Sequence, residues 1–233
     1  MIMMFGDYLL DVLEVSGRDP LTSFTVGKTQ IGSREENSSS NLANRSITVR
    51  AFIEADEYNE LTKKRDHIIL ELYAGMQRRN LSFDDENKYY IATFIKFETI
   101  KESERFCEFK LYFDCYPHAY DKDIQTIESN EIINEGSCSA DCTIQFELEN
   151  TISEFTISIK NSDSKVVLNN SNGLGGKWLI DTEKRKVYKD ASLSRCLDFE
   201  NTVWKNFKLN TGKTTFITSV DVALSISFRK EYH

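Results

Sequence analysis

The chain has 233 residues, of which 40% are hydrophobic and 12% aromatic, and a formal net charge of −8. This composition excludes a disordered chain and suits either one large β domain or two domains of roughly 100–120 residues. The acidic balance disfavours nucleic-acid binding, and no apolar run approaches the roughly 18–20 residues that a membrane span needs. Five cysteines without framework spacing indicate a reduced protein made in the cytosol. The start, Met1 to Asp7, has no basic region, so export by the general route is not expected.

Residues 5–15 and 24–31 are short β-type runs, separated by the turn signal Ser16-Gly17-Arg18-Asp19-Pro20. Residues 32–44 are small and polar and read as a long flexible loop, a length that is often functional. Ile47, Val49, Ala51 and Ile53 alternate with Ser46, Thr48, Arg50 and Phe52, which predicts a strand. A helix follows, with Asp56 as N-cap, Glu57 in its first turn and Gly75 as C-cap. Tyr58, Leu61, Ile68, Ile69 and Leu72 form its apolar stripe, so it lids a β-sandwich or split barrel.

Two long strands complete the first half. In the first, Tyr89, Ile91, Thr93, Ile95 and Phe97 share one face, with Tyr90, Ala92 and Phe94 on the other. In the second, Cys107, Phe109, Leu111, Phe113 and Cys115 form the apolar face, and the alternation stops at Pro117. Period-two placement makes both cysteines core filler.

Residues 121–136 read as a polar connector. Beyond it every periodic segment is β: Cys142, Ile144, Phe146 and Leu148; Phe155, Ile157 and Ile159; Val166 and Leu168; Trp178 and Ile180 with a hairpin to Val187; and a long strand over 216–228. Short strands at regular spacing without a helix predict a jelly-roll β-sandwich. The fold class is therefore mainly β. An N-terminal sandwich or split barrel with one α-helix spans 1–122, and a C-terminal sandwich spans 123–233. By pattern, the last strand is also free to return to the first domain.

Catalytic chemistry finds little support. Asn210-Thr211-Gly212-Lys213-Thr214-Thr215 has the tail of a phosphate-binding loop, but Phe207 stands where the first glycine belongs. Gly173-Leu174-Gly175-Gly176 precedes no helix, so it makes no anion site. Cys115, His118, Cys138 and Cys142 have poor zinc spacing. Asp84-Asp85-Glu86 could serve glycoside hydrolysis, but acids at a turn between strands are commoner as turn formers. The basic clusters Lys63-Lys64-Arg65, Arg78-Arg79 and Lys184-Arg185-Lys186 read as solvated faces. The expectation is no enzyme, no cofactor and no metal. Trp204, outside a clear strand, is the one candidate carbohydrate contact.

The order and spacing of several segments resemble the distal tail proteins of phages with long, flexible tails and their prophage relatives. These segments are Phe5-Gly6-Asp7-Tyr8, the strand and helix over 46–74, Leu81-Ser82-Phe83-Asp84, Lys88-Tyr89-Tyr90-Ile91-Ala92 and the closing run over 113–120. In the second half they are Gly176-Lys177-Trp178-Leu179-Ile180-Asp181-Thr182 with Val187-Tyr188, and Phe207 to Gly212 leading into Leu224 to Arg229. Gly32-Ser33-Arg34-Glu35-Glu36 replaces a Pro-Gly-Arg-Asp-Gly-type loop of that family.

The resemblance implies a homo-hexameric ring at the distal end of the tail tube, with galectin-like jelly rolls projecting outward. It implies the major tail tube protein and tail-tip proteins as partners, together with receptor-binding proteins or cell-surface glycans. The protein would reside at the virion tail tip after assembly in the bacterial cytoplasm. Neither sequence-specific nucleic-acid recognition nor membrane insertion is expected. The alternative is a carbohydrate-binding module acting in adhesion.

Overall fold

The computed structural model describes residues 1–19, 24–31, 34–73, 77–149 and 151–233. They form two compact units, one of residues 1–122 with His233 and one of residues 123–232.

The first unit contains β1 (Ile2–Phe5), β2 (Tyr8–Ser16), β3 (Phe24–Ile31), β4 (Arg34–Leu42), β5 (Arg45–Glu54), α1 (Tyr58–Tyr73), β6 (Arg79–Phe83), β7 (Lys88–Glu102) and β8 (Phe106–Asp121). Six strands follow one another as β8-β5-β2-β1-β6-β7, and β7 pairs back to β8 to close a barrel. Closure consumes the sheet edges that an open sheet would expose. Met3, Phe5, Val49, Leu81, Phe109 and Phe113 fill the interior. The Phe113 ring lies 5.1 Å from Phe5 and 5.6 Å from Phe94.

The closure is partial. β6 pairs with β7 only over residues 89–92. Farther along, β7 has only β8 as a strand partner among the described residues. The helix α1 packs on β5 and β7, burying Leu61, Ile68 and Leu72, so the barrel is split and lidded. The Tyr73 ring sits 4.7 Å from Phe94, and its hydroxyl donates to the Ile95 carbonyl. At the helix start, the Glu57 carbonyl accepts from the N–H groups of Glu60 and Leu61, and the Glu60 carboxylate reaches back to the Asp56 N–H. Tyr58, expected on the buried stripe, is exposed because it precedes the first inward position, Leu61. Gly75, expected as the C-cap, lies outside the described residues.

Three further expectations change in this unit. The run over 5–15 is two strands, folded at Gly6-Asp7 so that Phe5 pairs with Tyr8. The expected loop over 32–44 contains β4, paired with β3 from Phe24↔Leu42 to Ile31↔Arg34; residues 32–33 lie outside the described residues. Serine and asparagine favour turns through local side-chain hydrogen bonds, but a backbone ladder needs only N–H and C=O groups. The alternation also does not stop at Pro117, which lies inside β8. Tyr90 pairs with Ala119 and Ala92 with Cys115, so three β8 residues oppose Ile91 alone. Pairing with β5 has ended at Cys115. Proline, which cannot donate, is tolerated in such a bulge.

After β2 the chain turns at Gly17, whose φ is +89°. A Cβ there would sit 2.0 Å from the Ser46 carbonyl oxygen, so no other residue fits without moving β5.

The second unit contains β9 (Gln125–Glu128), β10 (Glu131–Asn134), β11 (Cys142–Leu148), β12 (Glu154–Ile159), β13 (Lys165–Asn169), β14 (Gly176–Asp181), β15 (Lys186–Lys189), β16 (Ser192–Leu193), β17 (Gly212–Thr218), β18 (Ser225–Phe228) and β19 (Glu231–Tyr232). One sheet runs β16-β15-β14-β11-β18-β9 and the other β10-β17-β12-β13. Ile144, Trp178 and Ile226 from the first meet Ile132, Phe155 and Phe216 from the second in one core, as a β-sandwich requires. The indole N–H of Trp178 donates to the Leu174 carbonyl.

Two readings are corrected here. The expected polar connector carries β9 and β10, whose Ile127 and Ile132 join the core. The expected single strand over 216–228 is β17 and β18, which lie in different sheets. Phe216 pairs with Ile159 and Ile226 with Ile144, so the chain crosses the sandwich between them.

Candidate interaction surfaces

The acidic turn Asp84-Asp85-Glu86 joins β6 to β7, and its carboxylates are already engaged. Asp84 accepts from the Ile2 N–H at 2.9 Å. Both oxygens of Asp85 accept from the Arg18 guanidinium, at 2.7 and 2.9 Å, and this pairing holds the Asp85 carboxyl below its usual range. Glu86 accepts from Arg18 at 3.4 Å and from the Tyr90 hydroxyl at 3.3 Å. A glycosidase general acid needs a raised pKa, and Asp85 is moved the other way.

The same end of the barrel holds Arg45, only 2% exposed. It donates to the carbonyls of Arg18 at 2.9 Å and Pro117 at 3.3 Å, with its guanidinium 5.2 Å from the centre of the Tyr90 ring. These contacts tie the two ends of the β3–β4 excursion to the barrel. The turn is a structural clamp.

Cys115 lies in the barrel core, and burial pushes its thiol up to about 12. Cys142, in the sandwich, is pushed to about 12 by the same cause. A thiol kept protonated is neither nucleophile nor ready metal ligand. Cys107 and Cys138 are also buried. Gly212 opens β17 with φ +84°, so the phosphate-loop fragment is a strand-to-strand turn.

Trp204 is half-buried, set edge-on to Phe207 at 5.9 Å and packed against the sandwich core. A more exposed aromatic stands nearby in sequence: Phe199 is 78% exposed. It projects from a turn in which the Asp198 carboxylate accepts from the N–H groups of Glu200 and Asn201 and from the Asn201 side chain. Asp198-Phe199-Glu200-Asn201 is a legible Asx-type turn with an aromatic inside it, a signal the sequence reading passed over.

The first unit carries a larger apolar feature on its outer surface. Ile2 and Met4 of β1, and Leu9 (61%) and Leu13 (50%) of β2, are all exposed. Met4 lies directly opposite Leu9 in the ladder. Four large apolar side chains gathered on one two-stranded face form a patch of the kind that interaction sites present. The face escapes a sequence reading that treats 5–15 as one strand.

Residues 135–232 match the family model of the siphovirus-type tail component, C-terminal domain. The second unit is thus similar to the C-terminal domain of siphovirus-type tail components. No curated protein matches the chain. Among solved structures, the Dit protein of phage SPP1 is similar over 100% of this chain and 99% of its own, with TM-score 0.79 and 17% identity. That protein is described as a paradigm of the hub adsorption apparatus in phages infecting Gram-positive bacteria. At this identity the likeness establishes a shared fold. A chain of the activated, calcium-containing baseplate of phage P2 is similar over 96% of this chain and 93% of its own, with TM-score 0.44 and 9% identity. Within the tail-component domain, the match includes Trp178, Trp204 and the Asp198–Asn201 turn.

Proposed function

We propose that the chain is a distal tail protein, a structural part of a phage or prophage tail. Its first domain, residues 1–122, builds a hexameric ring that joins the tail tube to the tail tip. Its second, galectin-like domain, residues 123–233, faces outward toward the adhesion apparatus. The match of residues 135–232 to the tail-component family carries this reading, and the likeness to the SPP1 hub protein over the whole chain supports it. The exposed β1–β2 face and the engaged carboxylates of the β6–β7 turn fit an assembly part.

The partners are other copies of the chain, the tail tube protein and tail-tip proteins, and the site of action is the virion tail. Negative-stain microscopy and light scattering of the purified chain are expected to show sixfold rings. A chain that stays monomeric at high concentration and does not bind tail tube protein sinks the proposal.

A second activity, adhesion to surface glycans by the sandwich, is favoured by the exposure of Phe199 on its rigid turn. A glycan array whose signal is lost in Phe199→Ala, with or without Trp204→Ala, supports it, and a silent array removes it.

A further inference from the structure

Three of the barrel's exposed apolar residues sit at β-bulges. Three register shifts insert one extra residue into β2 or β7, and the inserted residues are Leu13, between Val12 and Glu14; Ile95, between Phe94 and Lys96; and Ile100, between Thr99 and Lys101. A β-bulge re-aims the inserted side chain and breaks the alternation that would bury it. Leu13, Ile95 and Ile100 are exposed as a result, Ile95 at 52%. Placing large aliphatic residues outward at three separate bulges costs solubility and contributes nothing to the core.

These residues lie on two sides of the barrel. In the cycle β8-β5-β2-β1-β6-β7, β2 and β7 are three strands apart in either direction and do not adjoin. The β1–β2 side presents Ile2, Met4, Leu9 and Leu13, and within these two strands the charged residues are the exposed acids Asp11 and Glu14. Arg50 of β5 reaches Glu14 at 3.7 Å and leaves Asp11 facing outward. The β7 side presents Ile95 and Ile100 beside Lys96 and Lys101. Glu98 pairs with Lys96, while Lys101 stays exposed.

We infer that the β1–β2 face of one copy docks on the β7 face of the next, apolar against apolar and Asp11 toward Lys101. This inference rests on the ring proposed above and names its contact. Two different, complementary patches on separate sides of one body make a head-to-tail interface, which closes into a ring when the rotation between neighbours allows. A face that met its own copy would instead stop at a dimer and would set Asp11 against Asp11.

Two double variants of the full chain test it: Leu9→Lys with Leu13→Lys, and Ile95→Lys with Ile100→Lys. All four sites are exposed, so each variant is expected to keep the wild-type circular dichroism spectrum and melting temperature. Each alone is expected to lose rings and run as a monomer in light scattering. Mixed, they are expected to form a heterodimer, because each retains the face the other lacks. Rings that persist in either variant overturn the assignment of that face. Two monomeric variants that stay monomeric when mixed overturn the head-to-tail arrangement. A wild-type chain that forms no ring fails at the earlier step and counts against the tail-ring reading itself. Milder Leu13→Ser and Ile100→Ser variants, expected to weaken the ring at least tenfold without unfolding the chain, cover the case in which a double variant misfolds.

Discussion

The two units share antiparallel β architecture and treat its alternation differently. In the sandwich, every described ladder keeps an unbroken register. In the barrel, the β2–β5 and β7–β8 ladders slip four times. Both units leave some large apolar residues outward, Ile133, Leu193 and Phe199 among them in the sandwich, but only in the barrel do such residues sit at bulges, at Leu13, Ile95 and Ile100. An unbroken ladder maximises burial. A ladder bulged at aliphatic residues gives up some burial to shape a surface.

The largest expected effect probes the regular unit. Phe155 is fully buried and stacks on Phe146 at 4.7 Å. Phe155→Ala should cost about 3–5 kcal/mol, the usual range for emptying an aromatic core site. Both tryptophans, Trp178 and Trp204, lie in this unit, so their fluorescence during urea unfolding reads it directly. A loss below about 1 kcal/mol contradicts a single close-packed core.

Next comes a polar device in the barrel. Arg45→Ala strands the carbonyls of Arg18 and Pro117 and opens space beside Tyr90, at an expected cost of about 2–4 kcal/mol. Arg45→Lys should recover less than half, because an ammonium cannot reach two carbonyls while lying flat on a ring. Circular dichroism is the readout here, since this unit holds no tryptophan. Full rescue by lysine sinks the clamp.

A paired substitution addresses the slips themselves. Plain alternation puts Ile95 and Phe97 on the same face, but the bulge between Phe94 and Lys96 separates them. Phe97 turns inward and stacks on Phe109 at 4.6 Å, while Ile95 faces solvent. Phe97→Ser should cost about 1–3 kcal/mol and Ile95→Ser under about 0.5 kcal/mol. Equal costs restore the unbroken strand and remove the bulge.

That pair also shows where sequence reasoning ran out. The shared face of Tyr90, Ala92 and Phe94 and the inward set Cys107 to Cys115 were legible because no residue is inserted within either, and the strands of the sandwich around Ile144, Ile157 and Ile180 were legible for the same reason. Helix α1 was found by period, and its one buried stripe implied a lid, while the choice between a β-sandwich and a split barrel beneath it stayed open. Bulges leave almost no trace in a sequence, because the inserted residue is an ordinary Leu or Ile whose direction is set by the partner strand. Strand β4 was missed because Ser38-Ser39-Ser40-Asn41 favours turns locally, while its pairing with β3 is a property of two segments together. The β1–β2 face needed the Gly6-Asp7 turn to be recognised first. Trp204 was singled out for its type, whereas exposure singles out Phe199, and exposure is a tertiary property.

The smallest expected effect returns to the sandwich, where one titratable group is less well matched than those of the barrel. Arg18 draws the Asp85 carboxyl down, whereas Glu231 is raised to about 7, first by burial and second by the charge of Asp141. Lys208 opposes the shift but is committed to Asp141 at 2.9 Å. A carboxyl whose folded pKa lies above its ordinary value near 4.5 binds its proton more tightly when folded. Its contribution is fully present below about pH 4.5 and is lost as pH rises through about 7. The sandwich should therefore weaken across that window by on the order of 1–2 kcal/mol, given the partial exposure of the group. Asp198, lowered chiefly by its hydrogen bond from Asn201, acts in the opposite sense and at lower pH, so the two are separable. In Glu231→Gln, tryptophan-detected stability should be flat between pH 5 and 8 and should exceed wild type at pH 8. A variant that keeps the wild-type slope places the titration elsewhere.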